Sequence, residues 1–165
     1  EICTRWRELV EEDIKNNLPR VFKYNYFKYG TTLLVSMIKK DYILYLKLGD
    51  GEILIKQNND IKKALPSYQK DIVDCLAEEE AYDKMIYKIK PYESNISNVI
   101  IYSDGFENSF TSYKNMVSEI DNTLMNYNKN IFSKTNVEKN YEKYLNNLSE
   151  KGSLDDISII LVNIL

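Results

Sequence analysis

At 165 residues the chain is long enough for one domain with a hydrophobic core and too short for two comfortable ones. Hydrophobic residues make up 44%, charged residues 28%, and the net charge is −3, a soluble globular composition with no basic footprint for nucleic acid and no polybasic membrane patch. Histidine is absent, which excludes Ser-His-Asp and Cys-His nucleophile schemes and any imidazole metal ligand. No apolar run reaches the roughly 18 residues of a membrane span, and the N-terminus has no signal-peptide pattern. Cys3 and Cys75 lack metal-ligand spacing and read as free thiols of a reducing, cytoplasmic compartment, although sequence alone leaves a disulfide between them open. The chain begins with Glu1 rather than Met, so it reads as processed or as a piece of something longer.

From Ile2 to about Asn16, Ile2, Trp6, Leu9, Val10 and Ile14 follow helical spacing, and Asn17 and Pro19 end that helix. A polar, aromatic stretch from Phe22 to Tyr29 leads to Gly30. Two strand-like runs, Thr31 to Met37 and Tyr42 to Leu48, flank the charged turn at Lys39 to Asp41. Gly49-Asp50-Gly51 turns the chain into a third run, Glu52 to Lys56. Asn58-Asn59-Asp60 is a further turn, and Ile61 to Asp71 reads as irregular or edge structure around Pro66. Ala77 to Tyr82 is an acidic connection or short helix. Met85, Tyr87 and Ile89 alternate as in a half-buried strand ended by Pro91, and Asn98 to Tyr102 is another strand. Two apolar stripes follow, Tyr113 through Tyr127 and Val137 through Leu148, the second opened by the capping-box pattern Thr135-x-x-Glu138. Ile157 to Leu165, nearly all apolar, suits a strand buried on both faces. Helices bracketing mostly hairpin-connected strands argue for a layered α+β domain, with a ferredoxin-like sandwich as the alternative. The strands ending at Leu48, Ser103 and Leu165 are expected in one sheet system, with both late helices on one outer face.

All five glycines lie in four short segments: Gly30-Thr31-Thr32, Gly49-Asp50-Gly51, Ser103-Asp104-Gly105, and Gly152-Ser153-Leu154-Asp155-Asp156. Three of them set a carboxylate beside a glycine turn. Mg²⁺ and Mn²⁺ want oxygen ligands, and carboxylates from distant turns can be gathered at one rim by a sheet. Taken singly, each segment also fits an ordinary turn: a hairpin at Asp50, a solvated or edge-protecting turn at Asp155 and Asp156, a strand-end turn at Asp104. The acidic run Glu78 to Glu80 reads as a solvated face, and the fourteen tyrosines as core and interface filler.

In their order and intervals these segments resemble the type 2C (PPM, metal-dependent) Ser/Thr protein phosphatases, in the Gly-Asp-Gly version of a bacterial branch. The likeness spans Gly30 to Leu165, with the helix Ile2 to Asn16 matching the one that precedes the first segment. It implies an α-β-β-α phosphatase-type sandwich, held here as a single partial domain over 1–165 whose N-terminal strands are missing. It implies Asp104 and Asp155 as ligands of a two-metal Mn²⁺ or Mg²⁺ centre. Asp50 resembles the carboxylate of an additional, weaker metal position, and Asp156 the residue that holds the turn. Two cations about 3.5–4 Å apart would activate a water for in-line attack on a phosphoester. The family's phosphate-gripping Arg and its Asp-Gly-His-Gly motif have no counterpart; Arg5, Arg7 and Arg20 occur in the wrong context.

The leading expectation is therefore a phosphoserine/phosphothreonine phosphatase acting on phosphoproteins, this chain being a truncated part inactive alone. No nucleic-acid or membrane partner is expected. Exposed sheet surface left by missing strands would favour a homodimer. The alternatives are a pseudophosphatase that serves as a protein-binding module, and an unrelated α+β interaction domain.

Overall fold

A computed structural model describes residues 1–17, 26–67, 73–93 and 95–164. In chain order the elements are α1 (Ile2–Asn17), a 3-10 turn (Tyr26–Tyr29), β1 (Leu33–Ile38), β2 (Tyr42–Leu48), β3 (Glu52–Gln57), β4 (Asp60–Lys63), β5 (Ile86–Pro91), β6 (Ile96–Tyr102), α2 (Asp104–Asn108), α3 (Tyr113–Lys129), α4 (Ile131–Lys151) and β7 (Ile159–Asn163). All strand pairings are antiparallel, so the fold is α+β as expected. Two compact units divide the chain, Glu1–Gly51 with Leu65–Tyr92, and Glu52–Ala64 with Glu93–Leu165. Among the described residues no helix is long and apolar enough to cross a membrane.

The first unit is a three-stranded sheet, order β1-β2-β5, with α1 against one end. Cys3 and Trp6, one turn apart on α1, pack against Leu33, Leu48 and Met85 together with Leu76 and Ala81. Val10 and Ile14 continue α1's buried side. The strand anticipated around Met85, Tyr87 and Ile89 is present as β5, but its burial does not alternate as expected: Met85, just before the strand, is covered, and the two positions that were to share its buried face are not. Tyr87 and Ile89 pair with Leu46 and Leu44 of β2 and stand 66% and 61% exposed. Cys3 and Trp6 reach the Leu33–Leu48–Met85 end of this face and leave the far end bare. The expected free thiols are found at Cys3 and Cys75.

The second unit is a four-stranded sheet, order β4-β3-β6-β7, packed on a helical hairpin. Asn58 and Asn59, both at positive φ (50° and 67°), make the tight β3–β4 turn that asparagine tolerates. The irregular or edge structure expected from Ile61 onward begins with β4, an edge strand; residues 68–72 lie outside the described set. Leu54, Ile100, Tyr102 and Phe106 meet Met116, Ile120 and Leu124 of α3, with Leu145 and Leu148 of α4 against them. Each fully buried side chain here contributes about 1.5–3 kcal/mol.

Three expectations need correction. Strand β2 does not share a sheet with β6 and β7, because its hydrogen-bonding partners are β1 and β5. Strand β7 is not buried on both faces: it is an edge strand, shorter than its apolar run, and Ile160 is 56% exposed. Thr135 does not cap α4. One extended residue, Asn130, joins the two helices, and its side chain accepts from the Ser133 amide at 2.9 Å. The helix thus starts a turn before its apolar stripe, and Thr135 Oγ1 donates back to the Ile131 carbonyl at 3.0 Å.

Candidate metal centre

Antiparallel pairing sets the end of one strand beside the start of the next. Tyr102, the last residue of β6, pairs with Ile159, the first of β7. The residues leaving β6 and those entering β7 therefore emerge at the same end of the sheet. Beyond the ladder, the Ser103 amide donates to the Ser158 carbonyl at 2.9 Å, and the Ser158 amide to Ser103 Oγ at 3.0 Å. Asp104 opens α2 at this point, and Asp155 sits on the facing loop.

The two turns touch. A Cβ built on Gly105 would lie 2.5 Å from the Asp156 carbonyl oxygen and 3.4 Å from Asp155 Cβ. Only glycine permits that approach. Gly152 is similarly confined, a Cβ there falling 2.7 Å from Ser109 Cα. Four serine hydroxyls tie the segments together. Ser109 and Ser153 both donate to the Gly105 carbonyl, at 2.7 and 2.9 Å, and lie 2.8 Å from each other. Ser103 Oγ donates to the Asp156 carbonyl at 3.3 Å, and Ser149 Oγ to the Asp155 carbonyl at 2.6 Å. Asp156 acts through its backbone: its amide donates to Asp155 Oδ1 at 2.8 Å, orienting that carboxylate. Leu154 is held at φ 59°, a left-handed conformation that costs a leucine energy and is maintained by this network.

A buried polar group lies behind Asp104. Glu52, 2% exposed, pairs in register with Tyr102 and forms an ion pair with Lys63 at 2.9 Å. The Tyr102 hydroxyl donates to Glu107 Oε2 at 3.0 Å, fastening α2 to the strand that delivers Asp104. Burial, then the Glu107 charge and hydrogen bond, push the Tyr102 phenol far up. At Lys63 burial opposes the charge, and contact with Glu52 overrides it, so the ammonium is raised. The sequence reading missed this group and the serine lattice, since nothing in the local pattern marks Glu52, Ser109 or Ser149 as polar residues with partners.

Asp50 belongs to the first unit. Gly49 is at φ 99°, and a Cβ there would strike Thr32 Cγ2 at 2.2 Å, so Gly30-Thr31-Thr32 and Gly49-Asp50-Gly51 form one packed corner. Asp50 lines an open cavity of about 530 Å³ with Lys47, Asp74, Asp83 and Lys84. Lys84 binds Asp74 at 3.2 Å and also Glu78; the hydrogen bonds to Glu78 and then Asp74 raise its pKa. Arg7 is committed elsewhere, donating to the Glu78 carbonyl at 2.6 Å and stacking 5.1 Å over the Tyr26 ring. Arg20 lies outside the described residues.

Carboxylates carried on two contacting glycine turns are the kind of ligand a hard divalent cation takes, and Mg²⁺ needs one or two of them plus waters. Among the described residues no group of three or more His, Cys, Asp or Glu side chains is placed to hold a metal. The donors match in kind and are few in number.

The sequence model of the protein phosphatase 2C family matches residues 1–146, and the chain belongs to that family. The Asp155 loop lies beyond the match, so its pairing with Asp104 rests on the β6–β7 register. No curated protein matches the sequence. Among solved structures, the chain is similar to a bacterial serine phosphatase (TM-score 0.62, 14% identity, covering 99% of this chain and 67% of that one). It is also similar to the catalytic domain of the serine/threonine protein phosphatase PstP, solved with two manganese ions (0.60, 9%, 98% and 80%). A third is the serine/threonine phosphatase Stp1 from Staphylococcus aureus (0.59, 15%, 99% and 64%). At these identities the likeness shows the fold. The chain spans only 54% of a further match, a mutant bacterial serine phosphatase.

Proposed function

We propose that this chain forms most of a single catalytic domain of a Mn²⁺- or Mg²⁺-dependent phosphoserine/phosphothreonine protein phosphatase, and that these 165 residues alone do not turn over substrate. The observation that carries the reading is the contact between the Asp104 and Asp155 turns, fixed by strand register rather than by a mobile loop. The family match, which runs through both compact units, supports treating them as parts of one domain.

Asp104 and Asp155 would hold the cation, and Asp50 would serve a weaker position. When bound, divalent cations supply Lewis acidity for attack of water on a phosphoester. The chain's own contribution is orientation: the Asp156 amide aims Asp155, Tyr102 and Glu107 fasten the helix that carries Asp104, and the serine hydroxyls lock the two turns. The sequence contains no Asp-Gly-His-Gly and no histidine, which supports inactivity of these residues by themselves. The free thiols Cys3 and Cys75 support a reducing, cytoplasmic setting. The exposed row of Met37, Tyr87 and Ile89 supports a homodimer; sedimentation of wild type and Tyr87→Glu checks it, and a monomer in both removes it.

Titration calorimetry with Mn²⁺ tests the site. Weak binding is expected in the wild type, reduced in Asp104→Asn and in Asp155→Asn. Equal heats in all three proteins would dismiss these residues as ligands. A second reading, a pseudophosphatase serving as a binding module, is favoured by the lack of a third ligand among the described residues; a longer chain that carries Asp-Gly-His-Gly and still lacks activity would select it.

A further inference from the structure

Each carboxylate of the candidate centre accepts from an amide donor, and the two donors differ in kind. Asp155 Oδ1 accepts from the backbone N–H of Asp156 at 2.8 Å, so its orientation is built into the loop. Asp104 Oδ2 accepts from the side-chain amide of Asn108 at 3.4 Å. These two residues are the first and the last of α2. Their i,i+4 spacing sets them one turn apart on the same helix face, where side chains meet.

An exposed asparagine would ordinarily exchange such a bond for water. Asn108 differs because both of its chain neighbours are fixed. Glu107 accepts from the Tyr102 hydroxyl at 3.0 Å, which ties this turn to β6. Ser109 Oγ donates to the Gly105 carbonyl at 2.7 Å and lies 2.8 Å from Ser153 Oγ, which ties it to the Asp155 loop. The amide is thus carried on a backbone that other contacts already order, and little further entropy is lost in placing it beside Asp104.

Residue type matters as much as placement. A lysine or arginine at position 108 would pair with Asp104 and compete with a cation for it. An acidic residue there would repel Asp104 and present a ligand of its own. Asparagine supplies an uncharged donor, which turns the carboxylate without neutralising it.

We propose that Asn108 is a positioning residue for the metal centre: its side-chain amide holds Asp104 Oδ2 and so presets that carboxylate for a divalent cation. The inference rests on the reading of Asp104 as a metal ligand and adds the residue that aims it. Hydrogen bonds from outside the ligand shell orient metal-binding carboxylates, and their loss weakens binding by about 10–100-fold. The Asn108 bond is exposed and long, so a smaller loss of about fivefold is expected here.

The test is NMR of the ¹⁵N-labelled chain, first without metal and then with Mn²⁺ alone. Without metal, the side-chain NH₂ signals of Asn108 are expected to move in Asp104→Asn, which reads the bond itself. Signals that stay in place would overturn the inference whatever the metal does. With Mn²⁺, paramagnetic broadening of amides around Asp104 gives the affinity. Asn108→Ala, whose fold is checked by circular dichroism, is expected to need about fivefold more Mn²⁺ for equal broadening. Asn108→Gln, which keeps the donor, is expected to recover affinity to within about twofold of the wild type. Unchanged affinity in Asn108→Ala, while Asp104→Asn loses the broadening, would overturn the role of Asn108 and leave the metal reading intact. A glutamine variant no better than alanine would also overturn it, since a general effect on the fold would then explain both. Broadening that is absent in the wild type, or unchanged in Asp104→Asn, would remove the metal reading and this inference with it.

Discussion

Gly105 has almost no room for even a methyl group, because the Asp156 carbonyl occupies the place where a Cβ would sit. Gly105→Ala is therefore expected to push the Asp155 loop away and to cost about 1–3 kcal/mol, read as a lower urea midpoint at unchanged m-value. An unaltered midpoint would mean that the two turns are not in contact. That glycine was legible in the sequence as part of an Asp-Gly turn; the serines that brace it were not, because a serine's partner is set by tertiary distance and leaves no local pattern. Tyrosines give a second residue-level test. Burial, which outweighs the easing effect of Thr123, pushes the Tyr141 phenol up to about 12 from its usual 10, favouring the neutral form in the folded state. Its contribution to stability is complete below about pH 10 and is lost as pH rises from there toward about 12. Denaturant midpoints for Tyr141→Phe are thus expected to fall less steeply across that window than those of the wild type. Parallel pH profiles in the two proteins would show that Tyr141 ionises equally in both states.

Among the elements, α4 shows where pattern and structure part. The apolar stripe from Val137 to Leu148 marked its packed length, and Leu145 and Leu148 do reach the core. Its first turn carries Ile131 and Phe132 at 68% and 84% exposed, so burial periodicity could not announce it. A hydroxyl three residues before Glu138 then looked like a cap, although the helix had already begun at Ile131 under Asn130. Stability separates the two assignments. Asn130→Ala is expected to cost about 1 kcal/mol through loss of the bond to the Ser133 amide. Thr135→Ala is expected to cost close to nothing or to stabilise slightly, since it removes a hydroxyl that bonds back to the preceding turn. The reverse order would restore Thr135 as the cap. Strand β7 misled in a related way: an apolar run fits a strand buried on both faces and an edge strand alike, and only the sheet order tells them apart.

At the scale of the whole molecule, family membership was legible because several short segments recur in a fixed order, each weak by itself. What those segments could not convey was that the strands carrying them belong to two sheets, since pairing between distant strands depends on contacts that no window of sequence contains. The same segments bear on activity. A hydrolase of this kind needs its cations correctly spaced and its phosphate held in line, and misplacement of either is costly. The described residues offer two carboxylates in contacting turns, with Arg7 already engaged by the Glu78 carbonyl and Tyr26. The 165-residue chain is accordingly expected to hydrolyse neither p-nitrophenyl phosphate nor a phosphothreonine peptide at a detectable rate in millimolar Mn²⁺. Joining to Glu1 a segment that carries a phosphate-binding arginine and Asp-Gly-His-Gly is expected to produce Mn²⁺-dependent turnover that EDTA removes and Asp155→Asn abolishes. Turnover by the short chain that survives EDTA would refute a metal mechanism. Turnover by the extended chain that tolerates Asp155→Asn would leave the phosphatase assignment standing and take the β7 loop out of its metal centre.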